Sequence, residues 1–301
     1  MLLLSSSTRF ASPRSFVGTA AVRTNLTVSE VNYSPVVGDE EFIELMNISG
    51  GVIDLTGVHF EGITFTFPNS TLLDAGARVV LVRNAAVFSA SYPATPIGGV
   101  FTGALDNSGE EIAVIAYDNT DIVRFTYNNK APWPAAANGG GRSLVLRSPS
   151  PANNTDAFLS NAANWRNSSL PGGNPGTSDT ATFTGNPLAD GDGDGLRALL
   201  EYAVGTSDTN SDPSPAVANL ESFTVAAVTA CYFTLTTRAA PAADSVTLTA
   251  EFFDNLSSWS GGSFFVSETI AANGLVFRKW RAAIPFPGGP HFSRLKATLN
   301  P

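Results

Sequence analysis

From about Leu26 onward the apolar residues of this chain recur at every second position, and no other feature limits its fold as strongly. Val123, Phe125 and Tyr127 alternate with Arg124 and Thr126, while residues 79–82 and 112–117 are short, nearly continuous apolar runs. A period of two puts successive side chains on opposite faces of a strand. Clusters of turn formers divide the runs: Ser49-Gly50-Gly51, Pro68-Asn69-Ser70, Asp74-Ala75-Gly76 and Asp106-Asn107-Ser108-Gly109. Many short strands with turn signals at this spacing predict an all-β sandwich or barrel. Between residues 26 and 150 only residues 85–91 could turn as a helix.

Length and charge narrow the class further. A chain of 301 residues suggests about two domains. The net charge is −9, only 14% of residues are charged and 43% are hydrophobic, which excludes wholesale disorder. The shortage of Lys and Arg argues against nucleic acid as a partner. No apolar run reaches the roughly 18 residues of a membrane span. Cys231 is the single cysteine, so there is no intrachain disulfide and no multi-cysteine zinc site. Its place at a strand start predicts a buried structural thiol. At the N-terminus the apolar run 1–4 stops at Ser5 and the arginines Arg9 and Arg14 follow it, so no secretory signal is evident. Residues 1–24 read as a disordered tail or linker.

The organisation expected downstream is a first β-domain over 25–179, a linker over 180–219 and a small β-domain over 220–301. The linker carries an acidic loop at 190–201 and a helix over 196–204, closed by Gly205 as a C-cap. In the last part Val246, Leu248, Ala250 and Phe252 would line one strand face, with Thr247, Thr249 and Glu251 on the other. Residues 264–266 and 277–280 read as further strands. Arg278, Lys279 and Arg281 there read as solvated strand residues, with a small anchoring or carbohydrate-facing patch as the other reading.

An ordered set of motifs runs through the first domain. It opens with V-S-E-V-N-Y (28–33), E-E-F-I-E-L-M-N (40–47) and D-L-T-G-V (54–58). G-A-L-D-N-S-G-E-E-I (103–112), Trp133-Pro134, G-R-S-L (141–144) and Asn164-Trp165 follow. The set resembles the lamin-tail domain of bacterial extracellular proteins, over about 25–179. The resemblance implies an immunoglobulin-like β-sandwich that acts as a binding or adaptor module and has no general catalytic apparatus. In such a sandwich Glu30, Glu41 and Glu44 would lie at a polar face or edge, Trp133 and Trp165 would be buried anchors, and Gly57, Gly76 and Gly109 would sit in turns.

Residues 190–201 read D-G-D-G-D-G-L-R-A-L-L-E. Asp190, Asp192 and Asp194 occupy loop positions 1, 3 and 5, Gly195 position 6 and Glu201 position 12, the oxygen-ligand spacing of an EF-hand-type Ca²⁺ loop. The backbone carbonyl of Leu196 would supply position 7. Arg197 departs from the aliphatic residue usual at position 8, and no helix is evident before Asp190. The tract is therefore more similar to single-copy thrombospondin-type-3 or dockerin-like calcium repeats. The resemblance implies a structural calcium ion held by Asp190, Asp192, Asp194, Leu196 and Glu201. The small β-domain after it resembles those that follow such tracts in bacterial exported proteins.

Nothing in the sequence assembles an enzyme. His59 and His291 are the only histidines, and neither lies near a nucleophile motif. There is no P-loop, Rossmann fingerprint or HExxH. Glu40/Glu41 and Glu110/Glu111 are adjacent pairs, which a strand would send to opposite faces. The expectation is a non-enzymatic exported binding, adhesion or scaffolding protein, extracellular or at the cell surface, with an unidentified glycan or protein ligand. The alternative is an accessory region of a larger extracellular nuclease, phosphatase or carbohydrate-active enzyme.

Overall fold

The computed structural model describes residues 19–254, 262–271, 275–289 and 291–300. The first part carries eleven strands: β1 (Leu26–Asn32), β2 (Phe42–Asn47), β3 (Ile53–Asp54), β4 (His59–Glu61), β5 (Leu72–Leu73), β6 (Arg78–Val82), β7 (Ile97–Val100), β8 (Glu111–Ile115), β9 (Asp121–Thr126), β10 (Leu144–Leu146) and β11 (Trp165–Asn167). Three short helices accompany them, α1 (Thr19–Asn25), α2 (Ala85–Ser91) and α3 (Asp156–Leu159). A six-stranded sheet in the order β11-β10-β1-β2-β6-β7 and a three-stranded sheet β4-β8-β9 share one core, with the pair β3-β5 beside it. All pairings are antiparallel except β6 with β7. The all-β sandwich expected from the period of two is what forms.

The core holds Val28, Val31, Ile43, Leu45, Leu81, Ile112, Val114 and Phe125. Trp165 anchors it: its ring stacks on Phe125 at 5.7 Å and its Nε1 donates to the Leu159 carbonyl at 2.7 Å. Trp133 is only half-buried and packs from the rim. Gly57, Gly76 and Gly109 all take positive φ. Asn84 caps α2 by accepting from the amides of Ala86 and Val87, and the helix seats Phe88 on Phe42, with the ring centroids 5.8 Å apart.

Of the tail expected over 1–24, residues 1–18 lie outside the described residues. Residues 19–24 form most of α1, where Ala20 and Ala21 favour helix and Val22 enters the core at 3% exposure. Glu30, Glu41 and Glu44 do sit on the side of their strands away from the main apolar core, or at its edge, but they are buried. The segment 168–179 crosses the outer face of β1 and β2 and shuts out water. Buried carboxylates need hydrogen-bond donors, and each finds them. Glu30 accepts from the Ser143 hydroxyl at 2.5 Å and the Asn174 amide at 3.2 Å. Glu44 accepts from the Ser29 hydroxyl at 2.6 Å, the Gly176 amide at 2.6 Å and Arg78 Nε at 3.1 Å. Glu41 accepts from Arg83 and from the Leu105 amide.

The second part has α4 (Ala198–Val204) and six strands, β12 (Ala216–Val225), β13 (Val228–Ala239), β14 (Val246–Phe253), β15 (Ser263–Ile270), β16 (Val276–Ala282) and β17 (Phe292–Leu299). A four-stranded sheet β12-β13-β16-β15 faces the pair β14-β17. Val246, Leu248, Ala250 and Phe252 point inward, with Leu235, Trp280 and Ala282 among their partners. The helix expected in a linker is built into this core through Leu199, Ala203 and Val204. Gly205 closes it in the left-handed conformation, its amide donating to the Glu201 carbonyl at 2.7 Å. Cys231 is exposed, not buried: it lies beyond the stretch of β13 that β16 covers, which begins at Thr234. Arg278 and Lys279 pair with Glu268 and Glu221, and Arg281 stacks on Tyr232 and Phe264, so the three are engaged with their own sheet.

A buried arginine joins the two parts. Arg166 on β11 is 1% exposed, and its Nε donates to both oxygens of Asp244 at 2.8 and 2.9 Å. Its Nη1 pairs with Asp179. Among the described residues no helix is long and apolar enough to cross a membrane.

Candidate metal centre

Residues 190–197 have no regular secondary structure and are shaped by their own carboxylates. Asp190 accepts from the amides of Gly193 and Gly195 at 2.9 and 3.2 Å, Asp192 from Asp194 at 3.1 Å, and Asp194 from Leu196 at 2.8 Å. Side chain to backbone bonds of this kind hold turns. The helix begins at Ala198, two residues later than expected, because Arg197 is extended at φ −91, ψ 146 as the N-cap. Gly195 stands at φ +92 with open space around it, which suits the sharp bend at position 6.

The loop brings together the three aspartates that the spacing singled out. One carboxylate oxygen each of Asp190, Asp192 and Asp194 lies within 4.8 Å of the others. Three unit charges at that range repel by roughly 1 kcal/mol per pair even in water, and more where water is displaced. Glu201, in the first turn of α4, is not part of that group of three, although the charges of Asp192 and Asp194 act on it. It is 1% exposed, and its Oε2 has no hydrogen-bond partner, nor has Oδ2 of Asp192. Burial first, then Asp192, a hydrogen bond with Asp208 and the charge of Asp194 push the Glu201 carboxyl up to about 7. Arg197 turns away and donates to the Leu188 carbonyl at 2.7 Å, so the basic residue at position 8 leaves the loop acidic.

Sequence reasoning missed Asp208 and Asp212. Asp208 accepts from the Gly191 amide at 2.9 Å, and the Asp212 amide donates to Asp194 at 3.0 Å. The stretch after Gly205 therefore folds back over the loop. The signal for it was present as T-S-D-T-N-S-D (206–212), acids and turn formers right behind a capped helix. Oxygen-only ligands that include several carboxylates suit a hard cation such as Ca²⁺.

The paired glutamates take different partners, although Glu40, Glu41 and Glu110 lie just before their strands and not in them. Glu111 pairs with Arg124, while Glu110 accepts from the Tyr127 hydroxyl. Glu41 pairs with Arg83, while Glu40 faces a different cavity. His59 rests against the Gly57 carbonyl and His291 against Phe286.

Searches with the chain match no curated protein and no solved structure. Residues 19–129, from α1 to just past β9, match the family model described as Lamin Tail Domain, and the immunoglobulin-like sandwich seen here is the fold that goes with it.

Proposed function

We propose that this chain is a non-enzymatic bacterial binding, adhesion or scaffolding protein that works outside the cell or at the cell surface, with a structural Ca²⁺ in the 190–201 loop. The convergence of Asp190, Asp192 and Asp194 carries the reading, and the unpaired buried Oε2 of Glu201 on the helix that follows supports it. The Leu196 carbonyl completes the ligand set. A divalent cation relieves the repulsion among these acids. Because α4 is part of the second core, and because residues 205–212 bond back to the loop, the ion braces the passage between the two sandwiches. Its task is mechanical: it orders a joint that presents the first sandwich to a glycan or protein ligand. Extracellular modules bind Ca²⁺ with Kd of about 10⁻⁴–10⁻³ M. At ~1 mM free Ca²⁺ and the tight end of that range, the stabilisation is roughly 1.4 kcal/mol.

The test is a thermal melt of the full chain in EDTA, Mg²⁺ and Ca²⁺, paired with glycan and protein arrays probed with and without Ca²⁺. Ca²⁺ raises the melting temperature by a few degrees and Mg²⁺ does so less. No shift at several millimolar Ca²⁺ overturns the metal reading, and a specific turnover of any arrayed glycan overturns the non-enzymatic one.

A further inference from the structure

A second site lies on the outer face of the first sandwich, far from the acidic loop in sequence. A cavity of about 300 Å³ opens between the end of β1, the loop before β2, the end of α2 and the segment 171–172. Two of the residues lining it are buried polar groups with unmet hydrogen bonds. Asn32 is 1% exposed and its Nδ2 has no partner. Glu40 is 5% exposed and its Oε1 has none either. Buried polar atoms are rarely left unpaired in a folded protein, and each one asks what satisfies it. The other walls are Pro35, Val36, Pro171 and the side of Tyr92. Tyr92 is held in place: its hydroxyl donates to the Gly172 carbonyl at 2.9 Å, and its ring packs on Phe88 at 4.7 Å. Burial, then the charges of Glu40 and Glu30, push that hydroxyl's pKa upward, so it stays protonated and remains a donor.

We propose that this cavity binds one ring of a neutral sugar, whose adjacent hydroxyls pair with Asn32 and Glu40. The inference rests on the binding reading above and supplies its ligand class. Asn32 Nδ2 needs an acceptor and Glu40 Oε1 needs a donor, and a hydroxyl is both. An ammonium or guanidinium group only donates and leaves the Asn32 amide unpaired. A phosphate or carboxylate only accepts, and it meets the Glu40 carboxylate with like charge. The walls fit the same ligand, since prolines, Val36 and the Tyr92 ring offer apolar surface to the C–H face of a sugar. The volume stands at the lower end of ligand pockets, about 300–1,000 Å³, which is room for a single ring. Val36, 73% exposed at the rim, leaves the mouth open to solvent and to a longer glycan.

The experiment is a ¹H–¹⁵N titration of the full chain with the methyl pyranosides of glucose, galactose, mannose and N-acetylglucosamine, beside arginine methyl ester and inorganic phosphate. At least one pyranoside shifts the amides of Val36, Ser91, Gly141 and Gly172 saturably, and the two charged probes do not. Glu40→Ala weakens that binding by roughly ten-fold or more, whereas Glu40→Gln, which keeps an acceptor oxygen, holds it within a few-fold. The Gln variant and the choice of probe carry the test if the Ala variant fails to fold. Three results overturn the proposal: no saturable shift from any pyranoside, shifts at amides elsewhere only, or shifts from the arginine ester that Glu40→Gln abolishes, which mark a cation site. The calcium melt reads a different loop, so it can fail while the sugar titration succeeds, and the reverse.

Discussion

Glu30 and Glu44 stand directly opposite each other on β1 and β2, and both are buried. Like charges in that position destabilise a sheet. Burial first, and then the charge of Glu44, push the Glu30 carboxyl up to about 8. Burial raises Glu44 as well, against the pull of Ser29, Gly176 and Arg78. In the folded chain Glu30 therefore holds its proton at neutral pH, while in the unfolded chain it releases it near 4.5.

The sign of the pH dependence follows. Between about 4.5 and about 8 the folded state binds more protons than the unfolded state at this site, so stability falls as pH rises and levels off above the folded value. Glu30→Gln, permanently neutral, removes the share of the slope that Glu30 contributes, while the raised carboxyls of Glu44 and Glu201 keep theirs. Denaturant melts at pH 5, 6.5 and 8 show wild type losing up to a few kcal/mol across the range and the variant losing less. Parallel slopes for the two proteins would refute the assignment.

The acidic loop predicts a change of sign. In EDTA, Asp192→Asn removes one of three mutually repelling charges and stabilises the chain by roughly 1 kcal/mol. In millimolar Ca²⁺ the same change removes a ligand and leaves the variant less stable than wild type. Melting curves under both conditions must therefore cross over. A variant that is less stable in both would show that Asp192 serves the turn and not an ion.

Particular residues show how far the sequence could be read. The inward row Val246, Leu248, Ala250 and Phe252 was legible because a strand's period is local, and so was the carboxylate spacing 190-192-194. The start of α4 was not, because Arg197 is held extended and the Ala198 amide bonds back to the Ala189 carbonyl on the far side of the loop. The burial of Glu30 and Glu44 depends on amides 144 and 132 residues away, at Asn174 and Gly176. No local pattern announces such a contact. Asp208 falls between the two cases, since its composition was visible and its bond to Gly191 across the helix was not. Asn32 stood only within the opening motif and Glu40 only as half of an adjacent acidic pair, and neither position pointed to the cavity they line together.

Arg166 offers a test of how the two parts hold together. It is the shared partner of Asp179 and Asp244, and removing it leaves Asp179 to Ser169 alone and Asp244 to Thr180 and a 3.7 Å contact with Arg147. Breaking a buried pair in this way costs about 3–5 kcal/mol. Arg166→Ala lowers the melting temperature and splits the calorimetric transition in two, because the clamp from β11 to the loop before β14 is gone. Arg166→Lys keeps the charge but loses the fork that grips both Asp244 oxygens, and falls between. A single, unshifted transition in Arg166→Ala would remove the clamp from the account.

Gly172 and Tyr92 make a pair whose coupling can be measured. Gly172 stands at φ +78, and a Cβ there would lie 2.4 Å from the Tyr92 hydroxyl oxygen. Gly172→Ala therefore adds a steric clash to a backbone conformation that alanine adopts at a cost of about 1 kcal/mol or more. Tyr92→Phe alone loses the hydrogen bond to the Gly172 carbonyl, about 1 kcal/mol. In the double variant the clashing oxygen is absent, so the combined loss is smaller than the sum of the two single losses, by a margin within the 0.5–3 kcal/mol typical of contacting pairs. Urea melts of the four proteins give the coupling directly. Strict additivity would mean that the strap carrying Gly172 can shift away from Tyr92, and the wall of the proposed sugar site would then be looser than the geometry shows.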